Sequence, residues 1–387
     1  MSNSIKVRPN IIVLHLDGVR NDRLHISPEL MEISKEGTFF DNIIASSPYT
    51  IASVQSILTG MTGSKNGVDG YYNVNNLKSN VKTLTEYLKN EGYSTSGDIV
   101  NESVLNPRGF DTINVHDEFN DDLIDRHKEA IDISSKSSKN FFLYLQYSGL
   151  HAGMVKNIFR KYDDFSDDFF NNPERNCKIY DEYLLESGQY ASRIYRHLIN
   201  KNLDKNTIIL VYSDHGMSLG EKKGERAYGV YVYDYTVKTF LFMIHKNVFP
   251  RKKLNNLVKM IDIMPTILDI LNIPLDPNFL SVQGDNLKPL IRKKWNFWPM
   301  NYSTKVSKYA YIETGGLHGP WPSPKTHNVK AIRDIRWKLI HNEEPNTWEL
   351  YDLKTDSNEK NNIFGEKKDI EHRLMHAKGN FEDTFLE

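Results

Sequence analysis

The sequence predicts an α/β fold: a mostly parallel central sheet with helices on both faces, followed by a small antiparallel sheet. Three observations lead there. Short, almost wholly apolar runs such as Ile11-Ile12-Val13-Leu14-His15-Leu16 read as strands buried on both faces. Amphipathic segments of helical spacing stand between such runs, the alternation of a doubly wound sheet. Residues 301–387 change character and read as short strands separated by turns, a C-terminal α+β subdomain packed on a catalytic domain spanning 1–300.

Taken in order, the first strand follows Pro9-Asn10 and ends in the turn Asp17-Gly18. A short helix is expected from Leu30 to Glu36, stopped by Gly37. The stretch from Thr50 to Gly60 reads as a loop delivering one hydroxyl residue to the start of a helix that closes at a glycine. Val81 to Asn90 is amphipathic, with Leu84, Tyr87 and Leu88 on one face and Gly92 as its stop. Phe141 to Tyr147 is a second buried strand, ending near His151. A long helix covers Tyr180 to Asn200. Thr207 to Tyr212 is a third strand, ending at Ser213-Asp214-His215-Gly216, and Thr239 to Ile244 is a fourth. Leu254 to Leu271 reads as a helix, with Leu257, Ile261, Met264, Ile267, Leu268 and Leu271 apolar. Arg292-Lys293-Lys294 and the Trp/Pro-rich piece through Tyr302 connect to the short strands Ala310–Glu313, Val329–Arg333, Trp337–His341 and Glu349–Leu353.

The chain has 387 residues, with 49 Lys+Arg against 50 Asp+Glu. That balance leaves no electrostatic footprint for nucleic acid or an anionic membrane. The single cysteine, Cys177, excludes an internal disulfide and a cysteine metal cluster. Met1 to Asn10 lacks a signal-peptide core, and no apolar run approaches the ~20 residues of a membrane span, so a cytoplasmic location is expected.

Polar residues at the carboxyl ends of parallel strands are where such sheets bind ligands. Asp17, His151 and the pair Asp214-His215 all stand just past strand ends. One such residue alone is an ordinary turn residue, and Thr50 alone is an ordinary helix cap. Together, two carboxylates and an imidazole suit a divalent metal such as Zn²⁺, Mn²⁺ or Mg²⁺. A metal would lower the pKa of the Thr50 hydroxyl, and backbone N–H groups at the helix start would hold anionic oxygens. His151, with a side-chain pKa near neutrality, suits a general acid.

The motifs carry a resemblance. Asn10 through Asp22 resembles the opening motif of the sulfatase branch of the alkaline phosphatase superfamily, and Glu36-Gly37-Thr38-Phe39-Phe40-Asp41-Asn42 resembles its next block. Thr50 through Gly60 is similar to the nucleophile segment, and Thr83 through Thr95 to the helix and strand after it. Ser213-Asp214-His215-Gly216 resembles the metal motif, Asp262 through Asp269 a late helix, and Trp337–Ile340 with Glu349–Leu353 the C-terminal subdomain. The resemblance implies Thr50 as nucleophile, Asp17, Thr50, Asp214 and His215 around one divalent ion (Mn, Zn, Mg or Ca), and His151 at the leaving group.

The departures narrow the expectation. Sulfatases carry a cysteine, a proline and an arginine where this chain has Thr50, Ala52 and Val54. Threonine cannot become the formylglycine that sulfatases use. Gly18 stands where a second metal-binding aspartate belongs, and Val100-Asn101 where a lysine does. Lys222, Lys223 and Arg226 are candidates for the basic residue after the Asp-His-Gly motif, Lys223 being the one taken to bind substrate. The glycine-rich stretch Glu313 to Trp321 offers His318 as a further substrate contact. The expected activity is hydrolysis of a phosphodiester or phosphonate, on a small molecule or glycan, through a covalent phospho-threonine. The alternatives are a phosphoglycerol- or phosphoethanolamine-type transferase acting on a glycan, a sulfuric ester hydrolase, and a non-catalytic binding protein.

Overall fold

A computed structural model describes residues 8–70, 76–136, 139–159, 167–291, 306–314 and 328–385. The connection through Arg292-Lys293-Lys294 to Tyr302, and the loop carrying His318, lie outside the described residues. In chain order, the first half runs β1 (Asn10–Leu16), α1 (Pro28–Ile33), β2 (Thr38–Ile44), α2 (Thr50–Thr59), α3 (Gly63–Asn66), α4 (Leu84–Asn90), β3 (Ser94–Ile99), β4 (Thr112–Val115), α5 (Leu123–Ser135), β5 (Phe141–Tyr147) and α6 (Gly149–Asn157). There follow α7 (Asp167–Asn171), α8 (Pro173–Asn200), β6 (Thr207–Tyr212), α9 (Asp234–Val237), β7 (Lys238–Ile244), β8 (Lys252–Leu254), β9 (Val258–Lys259), α10 (Ile263–Ile270) and α11 (Lys288–Ile291). The chain closes with β10 (Ala310–Thr314), β11 (Val329–Arg333), β12 (Trp337–Asn342), β13 (Thr347–Asp352) and α12 (Lys368–Asp383).

Among the described residues the central sheet has the order β4-β3-β5-β1-β6-β7-β2-β8, with β9 also on β2. Strand β7 pairs antiparallel with both neighbours, β6 and β2, and the other pairings are parallel. β1 sits in the middle because its residues are apolar on both faces. Ile12, Leu14 and Leu16 pack with α6 and α8 through Leu150, Met154, Tyr180 and Leu184. Ile11 and Val13 pack on the opposite face with Val54, Ile57 and Leu58 of α2 and Ile263 and Met264 of α10. Each such buried aliphatic side chain contributes roughly 1.5–3 kcal/mol before chain entropy is charged against it. The mostly parallel sheet flanked by helices is thus the fold class expected.

The second sheet, β10-β11-β12-β13, is antiparallel throughout. One face packs on α12 through Tyr311, Ile332, Leu339 and Leu374. The other meets the main body through Ile312, Ala331 and Ile340 against Ile44, Val230 and Val237. Among the described residues no helix is long and apolar enough to cross a membrane.

Four expected helices have different bounds; the short one expected from Leu30 is α-helical over Pro28–Ile33 and continues as a 3-10 turn over Ser34–Glu36 up to Gly37. The one expected from Leu254 is strand at Leu254 and Val258–Lys259, and becomes α-helix at Ile263. Asp262 accepts the Lys259 N–H at 2.8 Å, which ends the extended segment there, while β2 offers the edge that β8 and β9 fill. The helix expected from Val81 starts at Leu84, because Thr83 and Glu86 cap each other's backbone. The long helix begins earlier than Tyr180, at Pro173, where proline's missing N–H is harmless.

Candidate active site

Four elements deliver the candidate residues to one place. Asp17 follows β1, and Asp214 and His215 follow β6, the parallel neighbour of β1. Thr50 is the first residue of α2, which packs on the same face of the sheet as Val13. Tyr49, with extended backbone, is the cap residue, and its side chain makes no capping hydrogen bond. Thr50 is therefore free of the capping role: its Oγ1 lies 3.1 Å from His215 Nε2 instead.

Hydrogen bonds aim the donor atoms at a common point. His215 Nδ1 is 2.7 Å from the Gly216 carbonyl, to which it donates, leaving the Nε2 lone pair facing the site. Nε2 lies 3.7 Å from Asp17 Oδ1 and 3.6 Å from Asp214 Oδ2. Gln146 donates to Asp17 Oδ2 at 2.8 Å, and Ser53 donates to the Asp214 carbonyl at 2.8 Å. Asp17 Oδ1 and both Asp214 carboxylate oxygens are then buried with no hydrogen-bond partner among the described residues. Buried, unpartnered carboxylate oxygens are costly unless a cation meets them. This donor set fits a divalent ion, with two carboxylates, an imidazole and a hydroxyl as the atoms to hold it. Burial alone would raise the Asp214 carboxyl, but the facing His215 and His15 rings hold it well below the usual carboxylate range.

His151 stands on the first turn of α6. Its Nδ1 is 3.2 Å from Glu118 Oε2 and its Nε2 is 2.9 Å from the Tyr228 hydroxyl. The Tyr228 ring also lies 4.6 Å from the His215 ring, so Tyr228 joins His151 to the cluster. Burial disfavours the His151 imidazolium, yet the Glu118 hydrogen bond, with Asp17 adding to it, raises its pKa above the ordinary histidine value.

Thr50, Asp17, Asp214 and His215 are brought together, with His151 one side chain away. Lys223 is not brought to them: it is 72% exposed and pairs with Asp167 at 2.8 Å. Lys222 reaches the Glu359 carbonyl and lies over the Tyr233 ring, at the junction with the second sheet. His318 lies outside the described residues. The sequence reading missed Glu118, Gln146 and His15. His15 carried the clearest signal: a histidine inside an otherwise apolar strand, two residues before Asp17 and hence on its face.

The sulfatase family profile matches residues 9–273, and that of the N-sulphoglucosamine sulphohydrolase C-terminal region matches residues 228–380. The dog arylsulfatase K is 25% identical over 228 residues, 54% of this chain and 39% of that protein. The N-acetylglucosamine-6-O-sulfatase of Bacteroides thetaiotaomicron is 30% identical over 189 residues, 47% of this chain and 31% of that protein. The chain thus spans well under half the length of these two curated relatives. A protein solved in complex with its substrate D-glucosamine-2-N,6-O-disulfate superposes with TM-score 0.77 at 18% identity, covering 98% of each chain. The phosphonate monoester hydrolase from Silicibacter pomeroyi superposes with TM-score 0.74 at 16% identity, covering 97% of this chain and 95% of the other. With two-thirds of its residues within the match and the fold shared over nearly the whole length, the chain belongs to the sulfatase family.

Proposed function

We propose that this chain is a metal-dependent hydrolase that cleaves a phosphodiester or phosphonate ester through Thr50. The observation that carries the reading is the convergence of Thr50 Oγ1 and His215 Nε2 with the unpartnered oxygens of Asp17 and Asp214 at the start of α2. A bound divalent ion supplies a lowered hydroxyl pKa and neutralises charge on the reacting group. Thr50 releases its proton to solvent and Oγ1 attacks phosphorus. The bond to the leaving oxygen breaks, and His151 supplies that oxygen with a proton. Water then attacks the phosphorus of the phospho-threonine, unprotonated His151 takes up the water's proton, the Oγ1–P bond breaks, and Thr50 Oγ1 regains a proton from solvent. Backbone N–H groups of the first turn of α2 hold the non-reacting oxygens. The Tyr228 hydroxyl, 2.9 Å from His151 Nε2, stands where a leaving oxygen would accept its hydrogen bond.

A second reading, hydrolysis of a sulfate ester on a sugar, is favoured by the relatives, which are named for sulfatase activities. It would need Thr50 rather than formylglycine as nucleophile. A panel of aryl and sugar phosphodiesters, phosphonates and sulfates, assayed with Mn²⁺, Zn²⁺, Mg²⁺ or Ca²⁺, separates the two. The phosphoester reading expects the highest kcat/KM on a phosphorus ester. Turnover confined to sulfates would overturn it.

A further inference from the structure

The turn after β1 supplies one carboxylate only, because Gly18 beside Asp17 has no side chain. A donor that the sequence reading left inside the strand faces the same point. His15 is fully buried, and its Nε2 lies 2.9 Å from Asp214 Oδ1. The two atoms are in ion-pair contact, yet neither finds a hydrogen-bond partner of good geometry among the described residues. A ring N–H pointing at the carboxylate would have made a hydrogen bond at that distance. Two donor atoms about 3 Å apart and not aimed at each other are what neighbouring ligands of one ion show, since metal–ligand bonds of about 2.1 Å at right angles separate the ligands by that much. His15, Asp17 and Asp214 each bring one donor atom into a group no wider than 4.8 Å. The far side of the ring is held as well: His15 Nδ1 is 2.9 Å from the Tyr144 hydroxyl, and His15 packs against Tyr212 with ring centroids 5.6 Å apart. An outer hydrogen bond of this kind fixes the ring and frees Nε2 to coordinate.

We propose that His15 Nε2 is a direct ligand of the ion, so that the site has two imidazole nitrogens, from His15 and His215, besides its carboxylates. This rests on the metal-dependent reading above. It carries a consequence for the ion. Ca²⁺, Mg²⁺ and Mn²⁺ favour oxygen surroundings, whereas imidazole suits Zn²⁺, Cu²⁺, Ni²⁺ and iron. The site is therefore one for a transition ion.

The test is metal binding by the full chain, read by metal analysis, by chelator competition with Zn²⁺, Mn²⁺ and Ca²⁺, and by the visible spectrum of the Co²⁺-loaded protein. Wild type is expected to bind Zn²⁺ at least 100-fold more tightly than Ca²⁺. His15→Ala should weaken Zn²⁺ by more than the ~10–100-fold that outer-sphere partners carry, and should change the Co²⁺ spectrum. His15→Gln keeps a hydrogen-bond donor of similar size near Asp214. It should fail to restore Zn²⁺ affinity if His15 is a ligand, and should restore it if His15 only positions Asp214. Circular dichroism and melting of the metal-free variants check folding. His15→Gln alone decides if His15→Ala does not fold, and the wild-type Co²⁺ spectrum and ion preference decide if neither does. Asp214→Asn separates the two levels of the argument. If it loses metal while His15→Ala or His15→Gln binds as wild type does, the His15 assignment is overturned and the metal site stands. If wild type itself binds no ion, both are overturned.

Discussion

Glu118→Gln isolates the pair that tunes His151. Glu118 Oε2 stands 3.2 Å from His151 Nδ1, and the two side chains are 17% and 18% exposed. At that distance the attraction is about 1.3 kcal/mol even at the dielectric constant of water. The pair is largely shielded, so the attraction is stronger than that, and its loss on substitution should lower the His151 pKa. The sign follows from the chemistry. His151 acts as an acid, so activity persists while it is protonated and falls as pH rises through its pKa. That pKa is raised above the ordinary histidine value. Removing the carboxylate should move the alkaline limb of the kcat/KM profile to lower pH, leaving the acid limb in place. The effect should be largest for substrates with poor leaving groups, which depend most on protonation. Stability should follow the same linkage: the pair's contribution is fully present below the unfolded-state histidine pKa of about 6.5 and is lost as pH rises through the raised folded value. The assay is kcat/KM against pH for wild type and variant on an activated and an unactivated ester. An alkaline limb that does not move would refute the acid role of His151 or its coupling to Glu118.

Three further outcomes are expected. Gly216→Ala should lower kcat/KM on the order of 100-fold, because a Cβ there would stand 2.1 Å from the Tyr235 carbonyl and must shift the segment bearing Asp214 and His215; steady-state kinetics and metal content check it. Chelation should abolish activity and lower Tm reversibly, since an ion at 100 times its Kd stabilises the folded state by about 2.7 kcal/mol; calorimetry with and without added Mn²⁺ or Zn²⁺ reads this. Phe142→Ala, at a fully buried position of β5, should cost about 3–5 kcal/mol in denaturant unfolding, and a loss below 1 kcal/mol would contradict the central placing of that strand.

The strands that position the site were legible because each is a closed apolar run. β1, β5, β6 and β7 lie within a residue of where periodicity puts them. Their direction was less so: β7 opposes its neighbours, and nothing in Thr239 to Ile244 states that. Short edge strands β8 and β9 were read as helix, because Leu254, Leu257 and Ile261 have helical spacing while their pairing with β2 is a tertiary fact. The cluster of Thr50, Asp17, Asp214 and His215 was legible because every member ends or begins an element. Glu118 and Gln146 were not, since they reach the site by side-chain contacts whose partners are 33 and 129 residues away. Lys223 shows the opposite error: a basic residue soon after the metal motif in sequence, turned outward to Asp167 in space.

The central claim is that Thr50 is the nucleophile, and rapid quenching tests it most directly. The metal-loaded protein is mixed with the best ester of the substrate panel, stopped in acid, digested and read by mass spectrometry. A covalent adduct is expected on the peptide bearing Thr50, formed and lost at rates that match turnover. Thr50→Ala should show no adduct and should lose roughly 10³-fold or more in kcat while still binding metal through its other ligands. An adduct on another residue, or full turnover by metal-loaded Thr50→Ala, would contradict the account.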